Sequence, residues 1–194
     1  SIFAHVPGLF IAYPSNAADA KGLLKTAMRI DDPVIFCEHK GLYRQSFAMA
    51  PEPDENYLVP FGKAKTVRSG NDITVVTWGA LVWESVFAAK RLEEEGISVE
   101  VLDIRTIIPL DSEAIFNSIK KTGKSIVIHE DTLTAGFGAE IVARISSECF
   151  EHLDGPVRRY AAKDAHIPYS PVLEDAVLPS REGVYQAIKE LAKY

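Results

Sequence analysis

Short apolar runs alternate with amphipathic segments along most of the chain, and this alternation is typical of strands joined by helices. Strands are predicted at 73–78, 99–104, 125–129 and 157–161. Helices are predicted at about 81–95, 111–121, 138–150 and 180–193. Continuous apolar strands that alternate with helices are typical of a parallel sheet with right-handed crossovers, covered on both faces. The pattern therefore predicts an α/β domain with a mostly parallel sheet.

A smaller β-α-β unit precedes this domain. Residues 10–13 and 34–37 are predicted as buried strands on either side of a helix at about 19–29. Ser15 or Asn16 is expected to cap this helix, because a side-chain oxygen there accepts a hydrogen bond from a free backbone N–H. A unit of about 30 residues is too small to be stable by itself.

The segment 40–70 has weak periodicity and contains Pro51, Pro53 and Pro60. A connection of about 30 residues exceeds the usual length of loops in compact domains. It is therefore interpreted either as a functional loop or as a linker between domains. Short strands are predicted within it at 57–60 and 63–67.

Composition narrows the range of functions. Hydrophobic residues make up 47% and charged residues 25% of the chain, a balance typical of a soluble protein with a sizeable core. The net charge of −6 argues against a nucleic-acid partner, which requires a basic surface. No apolar run approaches the roughly 18 residues of a membrane span, so no membrane partner is expected. Cys37 and Cys149 are too few for a disulfide framework and are predicted to be buried free thiols.

Two motifs near one strand end are candidates for chemistry. Gly136-Phe137-Gly138 opens a helix, where glycines either cradle a phosphate or allow close packing; the incomplete dinucleotide spacing favours packing. His129-Glu130-Asp131 suggests a general base or a metal site. Adjacent side chains on an extended chain point to opposite faces, however. A loop leading into a helix, with its acids facing the helix N-terminus, is therefore the favoured interpretation.

Other polar residues give weaker signals. No nucleophile lies at a fixed spacing from His5 or His39, so neither is assigned a catalytic role. Asp103 and Arg105 end a buried strand, and a buried charge needs a partner, so this pair is expected at a domain or subunit contact. The end of the helix before Asp32 leaves backbone carbonyls unpaired, and such carbonyls can bind a monovalent cation.

Several longer stretches resemble a known family. They include FAHVPGLFIAYPSNAADAKGLL, DDPVIFCEHKGLYR, GKAKTVRSGNDITVVTWG, VEVLDIRTIIPLD and KTGKSIVIHEDTLTAGFGAEI, and the ending DGPVRRYAAKDAHIPYSPVLEDAVLP fits as well. Over essentially all 194 residues the chain resembles the β subunit of thiamine-diphosphate-dependent 2-oxo acid dehydrogenases, the E1 component. The wording is closest to the branched-chain (2-oxoisovalerate) type. Pyruvate and acetoin dehydrogenase β subunits, another transketolase-like synthase and a non-catalytic α/β docking module remain alternatives.

The resemblance implies a division of the chain. Residues 1–45 correspond to the C-terminal part of a pyrimidine-binding domain, 46–70 to a linker, and 71–194 to a transketolase C-terminal-type domain. The family's catalytic glutamate and histidine correspond to positions upstream of Ser1, and His5 matches a different histidine. No catalytic or cofactor-binding residue is therefore assigned here. The chain is interpreted as a possible fragment or processed piece, inactive alone.

The resemblance also implies ligands and partners. In the intact enzyme, thiamine diphosphate and Mg²⁺ are expected, not held by this chain alone. A potassium ion is expected on backbone carbonyls at the positions of Ala27, Met28, Ile30 and Asp32. The expected partners are the E1 α subunit or a fused α region, a second β subunit, and the E2 acyltransferase. Asp154 and Tyr194 are candidates for docking E2, with ordinary solvated surface as the alternative. The expected location is the bacterial cytoplasm or the mitochondrial matrix, without secretion.

Overall fold

A computed structural model describes all residues, 1–194, and contains eight strands and six α-helices. The strands are β1 (Phe10–Ala12), β2 (Val34–Phe36), β3 (Lys65–Arg68), β4 (Ile73–Thr77), β5 (Val99–Asp103), β6 (Thr106–Ile108), β7 (Ser125–Thr132) and β8 (Arg158–Ala162). The helices are α1 (Ala17–Ala27), α2 (Leu81–Glu93), α3 (Ser112–Thr122), α4 (Gly138–Glu148), α5 (Pro171–Val177) and α6 (Arg181–Ala192).

The main sheet has five strands in the order β3-β5-β4-β7-β8. Strands β5, β4, β7 and β8 are parallel, and only the edge strand β3 runs antiparallel to its neighbour. This arrangement confirms the predicted mostly parallel sheet. Strands β5 and β7 lie on opposite sides of β4. The helices that connect these parallel strands therefore cover both faces of the sheet.

Successive side chains along the central strands point alternately into two separate hydrophobic cores. Val75 of β4 points into a cluster formed with α2 and α6, whereas its neighbour Val76 points into a cluster formed with α3 and α4. All five residues of β4 are buried, as are all five of β5. Burial on both faces explains why these strands are continuous apolar runs in the sequence.

A second sheet joins the two parts of the chain. It has the order β2-β1-β6, with β1 parallel to β2 and antiparallel to β6. Strand β6 follows β5 of the main sheet in the sequence. The third strand of the sheet that contains the predicted β-α-β unit therefore comes from the later part of the chain. The two parts therefore share backbone hydrogen bonds as well as side-chain contacts.

Helix ends follow the predicted capping chemistry. The Asn16 side chain caps α1 by accepting from the backbone N–H of Asp19 at 2.9 Å. Asp111 caps α3 by accepting from the N–H of Ala114 at 3.2 Å. Gly123 ends α3 with a φ of +70°, a left-handed conformation that glycine adopts without a Cβ penalty.

The structure differs from the sequence-based expectation in three elements. Strand β6 and helix α5 were not predicted, and residues 57–60 form no strand. The strand predicted at 63–67 is present as β3, within the predicted linker 46–70. Phe47 in the connecting segment packs on Trp83 of α2, with ring centroids 5.6 Å apart. None of the helices has the length and apolar character that a bilayer crossing requires.

Candidate functional site

The carboxyl ends of β4 and β7 lie side by side in the sheet, and α/β sheets bind ligands at such ends. Here an aromatic pair fills the position. Trp78 follows β4 and stacks on His129 of β7, with ring centroids 5.5 Å apart and planes 2° from parallel. His129 is fully buried, and neither of its ring nitrogens has a hydrogen-bond partner. Burial lowers the pKa of His129 to about 4, so its imidazole is neutral at physiological pH.

The glycines at 136 and 138 pack against this histidine. A Cβ on Gly138 would lie 2.3 Å from Cδ2 of His129, and one on Gly136 would lie 2.7 Å from its Cε1. The space next to both glycines is therefore occupied by the imidazole ring. This geometry supports the packing interpretation of Gly136-Phe137-Gly138 rather than a phosphate cradle.

Glu130 joins the main sheet to the N-terminal part of the chain. Its carboxylate lies 2.9 Å from Nε2 of His39, whose Nδ1 accepts from the backbone N–H of Gly41 at 3.1 Å. The hydrogen bond with Glu130 raises the pKa of His39 above its usual value. The interpretation of His129-Glu130-Asp131 as a loop leading into a helix was therefore wrong. All three residues belong to β7, where His129 is buried and Glu130 pairs with His39.

Ser15 is held by two residues of the main-sheet part. Its hydroxyl donates to Oδ2 of Asp103 at 2.5 Å, and its carbonyl accepts from Nε1 of Trp83 at 2.7 Å. Arg105 reaches Asp19 of α1 with 3.3 Å between Nη1 and Oδ1. The prediction that Asp103 and Arg105 lie at a domain contact is thus confirmed.

A hydrophobic cleft opens at the carboxyl ends of β1 and β2. Its volume is about 350 Å³, and its lining includes Asn16, His39, Tyr43, Arg44 and Met49. The Tyr43 hydroxyl donates to Glu38 at 2.6 Å, and Arg44 has a φ of +62°. This cleft was not predicted from the sequence, because most of its lining residues belong to the aperiodic segment after β2.

The carbonyls predicted to bind potassium belong to the last residue of α1 and to three residues that follow it. The carbonyl of Ala27 accepts from the backbone N–H of Ile30 at 3.2 Å. No backbone N–H donates to the carbonyls of Met28, Ile30 or Asp32. Three of the four predicted ligands are thus free of backbone partners, while Ala27 has one.

The two predicted docking residues are brought together by Gly155. A Cβ on Gly155 would lie 3.0 Å from the Tyr194 ring, and Asp154 is the preceding residue. Both Asp154 and Tyr194 are exposed. The groove beside Asp154 is lined by His152 and by charged residues of both signs, which are Asp72, Asp154, Lys120, Lys121 and Lys124. Its lysines give it a mixed character rather than that of an acidic patch.

Comparisons with known proteins identify the class of fold. Residues 62–184 match the family model "Transketolase, C-terminal domain", and residues 1–46 match "Transketolase, pyrimidine binding domain". The chain therefore belongs to the transketolase family of α/β proteins. A solved structure, "Split gene transketolase, inactive beta4 tetramer", superposes with a TM-score of 0.79 over 99% of this chain and 60% of that one. At 23% identity this likeness shows the fold alone.

More similar relatives are β subunits of 2-oxo acid dehydrogenases. The "2-oxoisovalerate dehydrogenase subunit beta" of Bacillus subtilis (strain 168) is 45% identical over 195 residues, covering 100% of this chain and 59% of the relative. The "Pyruvate dehydrogenase E1 component subunit beta, mitochondrial" of Dictyostelium discoideum is 41% identical, covering 98% of this chain and 54% of the relative. The chain spans less than two thirds of either relative. These matches confirm the resemblance and the predicted fold class.

This family depends on thiamine diphosphate, and the fit of the present residues can be tested. No group of three or more His, Cys, Asp or Glu side chains is arranged to hold a metal ion. The glycines at 136 and 138, the best candidates for a phosphate loop, face the His129 ring instead. The Gly136-Phe137-Gly138 loop therefore does not fit the diphosphate end of the cofactor.

Proposed function

We propose that this chain is part of the E1 β subunit of a 2-oxo acid dehydrogenase complex of the branched-chain type. The intact enzyme would decarboxylate a branched-chain 2-oxo acid oxidatively and transfer the acyl group to the lipoyl group of E2. The observation that carries the proposal is the 45% identity to a 2-oxoisovalerate dehydrogenase β subunit across the whole chain. A pyruvate dehydrogenase β subunit at 41% identity is the nearest alternative, and the acetoin type shares the architecture.

Within that enzyme, this chain would supply assembly and support for the cofactor loop. Thiamine diphosphate, with Mg²⁺, supplies the carbanion chemistry when it is bound. The contribution of this chain is positional, because Trp83 and Asp103 fix Ser15, which precedes the first turn of α1. The proposed partners are the E1 α subunit or a fused α region, a second β subunit and E2. The proposed location is the bacterial cytoplasm or the mitochondrial matrix.

A potassium ion bound after α1 is part of the proposal. The carbonyls of Met28, Ile30 and Asp32 accept no backbone hydrogen bond, which supports their availability as ligands together with Ala27. Backbone carbonyls at a helix C-terminus carry partial negative charge and attract a cation. The intact β subunit is expected to unfold at a higher temperature in potassium chloride than in sodium chloride at equal ionic strength. Equal unfolding temperatures in the two salts would contradict potassium binding at these carbonyls.

Docking of E2 through Asp154 and Tyr194 is a further part of the proposal. Both residues are exposed, and Tyr194 packs beside the residue that follows Asp154. Because Lys120, Lys121 and Lys124 line the groove beside Asp154, the proposed attraction involves Asp154 alone and not an extended acidic patch. Asp154→Asn is expected to weaken E2 binding by the intact E1, as measured by surface plasmon resonance. Glu113→Gln, which alters an exposed carboxylate on α3, serves as the control.

Substrate preference tests the proposed function. The complete gene product, coexpressed with its α subunit and assayed with thiamine diphosphate, should show a higher kcat/KM for 3-methyl-2-oxobutanoate than for pyruvate. A preference for pyruvate would favour the pyruvate dehydrogenase alternative. Absence of decarboxylation with every 2-oxo acid, from a folded and assembled sample, would favour a non-catalytic docking module.

A further inference from the structure

The contact at Ser15 between the two sheets contains a buried carboxylate whose charge state the proposed function does not use. Asp103, at the carboxyl end of β5, accepts from the Ser15 hydroxyl at Oδ2 and from the backbone N–H of Arg105 at Oδ1, at 2.5 and 2.9 Å. Trp83 holds the Ser15 carbonyl, and the N–H of Tyr13 donates to the carbonyl of Arg105 at 2.8 Å. The segment that leads into α1 is thus attached to the main-sheet part at three points.

A second carboxylate lies beside this contact. Asp19 of α1 is fully buried, like Asp103, and its negative charge opposes the ionisation of Asp103. Asp19 itself accepts from Asn16 at 2.6 Å and lies 3.3 Å from Arg105 and 3.7 Å from Lys65.

The remaining groups around the two carboxylates come from three other parts of the fold. These charged and titratable groups are Tyr57 of the connecting segment, Lys65 of β3 and Arg105 after β5. Arg105 and Lys65 both make their ion pairs with Asp19 rather than with Asp103. Asp103 is therefore left with two hydrogen-bond donors and no ion pair.

We propose that the Ser15–Asp103 contact is controlled by a proton, so that the two sheets pack more firmly when Asp103 is neutral and loosen when it is ionised. A neutral Asp103 can donate its proton to the Ser15 oxygen, so the hydrogen bond persists in both states. Ionisation instead buries a second negative charge beside Asp19 without a second cation. The inference rests on the geometry of this chain and is independent of the proposed enzymatic function.

The sign of the pH dependence follows from burial. Burial raises the pKa of Asp103 to about 7, whereas an unfolded aspartate has a pKa near 3.9. The folded chain therefore binds a proton that the unfolded chain releases between these two values. The cost of burying Asp103 is absent below about pH 4, grows towards pH 7 and is complete above it.

The test is Asp103→Asn in the full chain, in whatever assembly it forms. Asparagine can keep both hydrogen bonds without a charge, accepting from the Arg105 N–H and donating to the Ser15 oxygen. Its melting temperature should exceed that of the unaltered chain by about 4 °C or more at pH 8 and by less at pH 5, since a chain of this size shifts roughly 2–4 °C per kcal/mol. The exposed Asp175→Asn should leave the profile unchanged and serves as the matched control.

Two results would overturn the proposal. One is a melting profile of Asp103→Asn that parallels the unaltered chain from pH 5 to pH 8. The other uses no substitution: the side-chain carboxyl of Asp103, followed by carbon-13 NMR, should titrate near pH 7, and a transition below pH 5 would contradict the inference. Protection of the backbone amides of residues 15–19 against hydrogen exchange should fall over the same interval in the unaltered chain only.

Discussion

Gly138→Ala sets helix propensity against packing and is the most informative single substitution. Gly138 is the first residue of α4, and alanine is favoured over glycine in a helix by up to about 1 kcal/mol. The new Cβ would lie 2.3 Å from Cδ2 and 2.4 Å from Nε2 of His129, and 3.2 Å from Cγ1 of Val127. Stacking on Trp78 and close contact with Gly136 leave the ring little room to move.

Overpacking of this kind typically costs about 1–3 kcal/mol. The propensity gain is smaller than usual because Gly138 lies in the first turn, where the helical hydrogen bonds are incomplete. The expected result is a net loss of about 1–2 kcal/mol in the free energy of unfolding. Urea unfolding measures it as a lower midpoint with an unchanged slope.

Two further variants separate the causes. Ala143→Gly, at an exposed position of the same helix, measures propensity alone and should cost up to about 1 kcal/mol. In a His129→Ala background, Gly138→Ala should be nearly neutral or stabilising, because the group with which the methyl collides is absent. A stabilising Gly138→Ala in the unaltered chain, or an equal loss in both backgrounds, would refute the packing argument.

Two other substitutions test the contacts around the N-terminal part. Asn16→Ala removes the cap of α1 and should lower the free energy of unfolding by about 0.5–2 kcal/mol in urea. Asn16→Asp keeps the cap acceptor but replaces the donor to Asp19 with a second carboxylate, so it should also lower the free energy of unfolding. Glu130→Gln should return the pKa of His39 towards its usual value, as followed by proton NMR of the imidazole; an unchanged titration would show that another group sets it. Because the pKa of His39 is raised, the stabilisation from this pair is present below the usual histidine pKa and is lost as pH rises through the raised value.

The regular part of the fold was predictable because its signals are local. Strands β4 and β5 and the first five residues of β7 are buried on both faces, and Gly123 and Asp111 mark the ends of α3 by well-defined capping chemistry. The same local rules identified the β-α-β unit of β1, α1 and β2. These elements follow from the spacing of apolar residues along the chain and from the capping residues at the helix ends.

The missed elements depend on long-range contacts. Strand β6 is three residues long and exists because β1, nearly 100 positions earlier, offers it a hydrogen-bonding edge. Helix α5 buries none of its residues, so it has no apolar stripe to detect. Residues 57–60 include the short apolar run Tyr57-Leu58-Val59, which resembles a strand in the sequence. In the structure Val59 is buried, but it packs against Leu23 and Ala12 and does not pair in a sheet.

The polar contacts were only partly predictable. A buried charge at Asp103 pointed to a partner, but its identity, Ser15, lies 88 positions away. The stacking of His129 on Trp78 had one usable signal in the sequence, which is that the two residues end the predicted strands 125–129 and 73–78. The pairing of Glu130 with His39 had none in the sequence, because it depends on how the two sheets meet.

We propose that this chain provides assembly and support but no complete cofactor site. Isothermal titration calorimetry of the chain with thiamine diphosphate and Mg²⁺ tests it most directly, with cooperative thermal unfolding as proof that the sample is folded. No saturable binding is expected for the chain alone, and binding is expected once the complete β subunit is assembled with its α subunit. Tight, stoichiometric binding to the chain alone would contradict it.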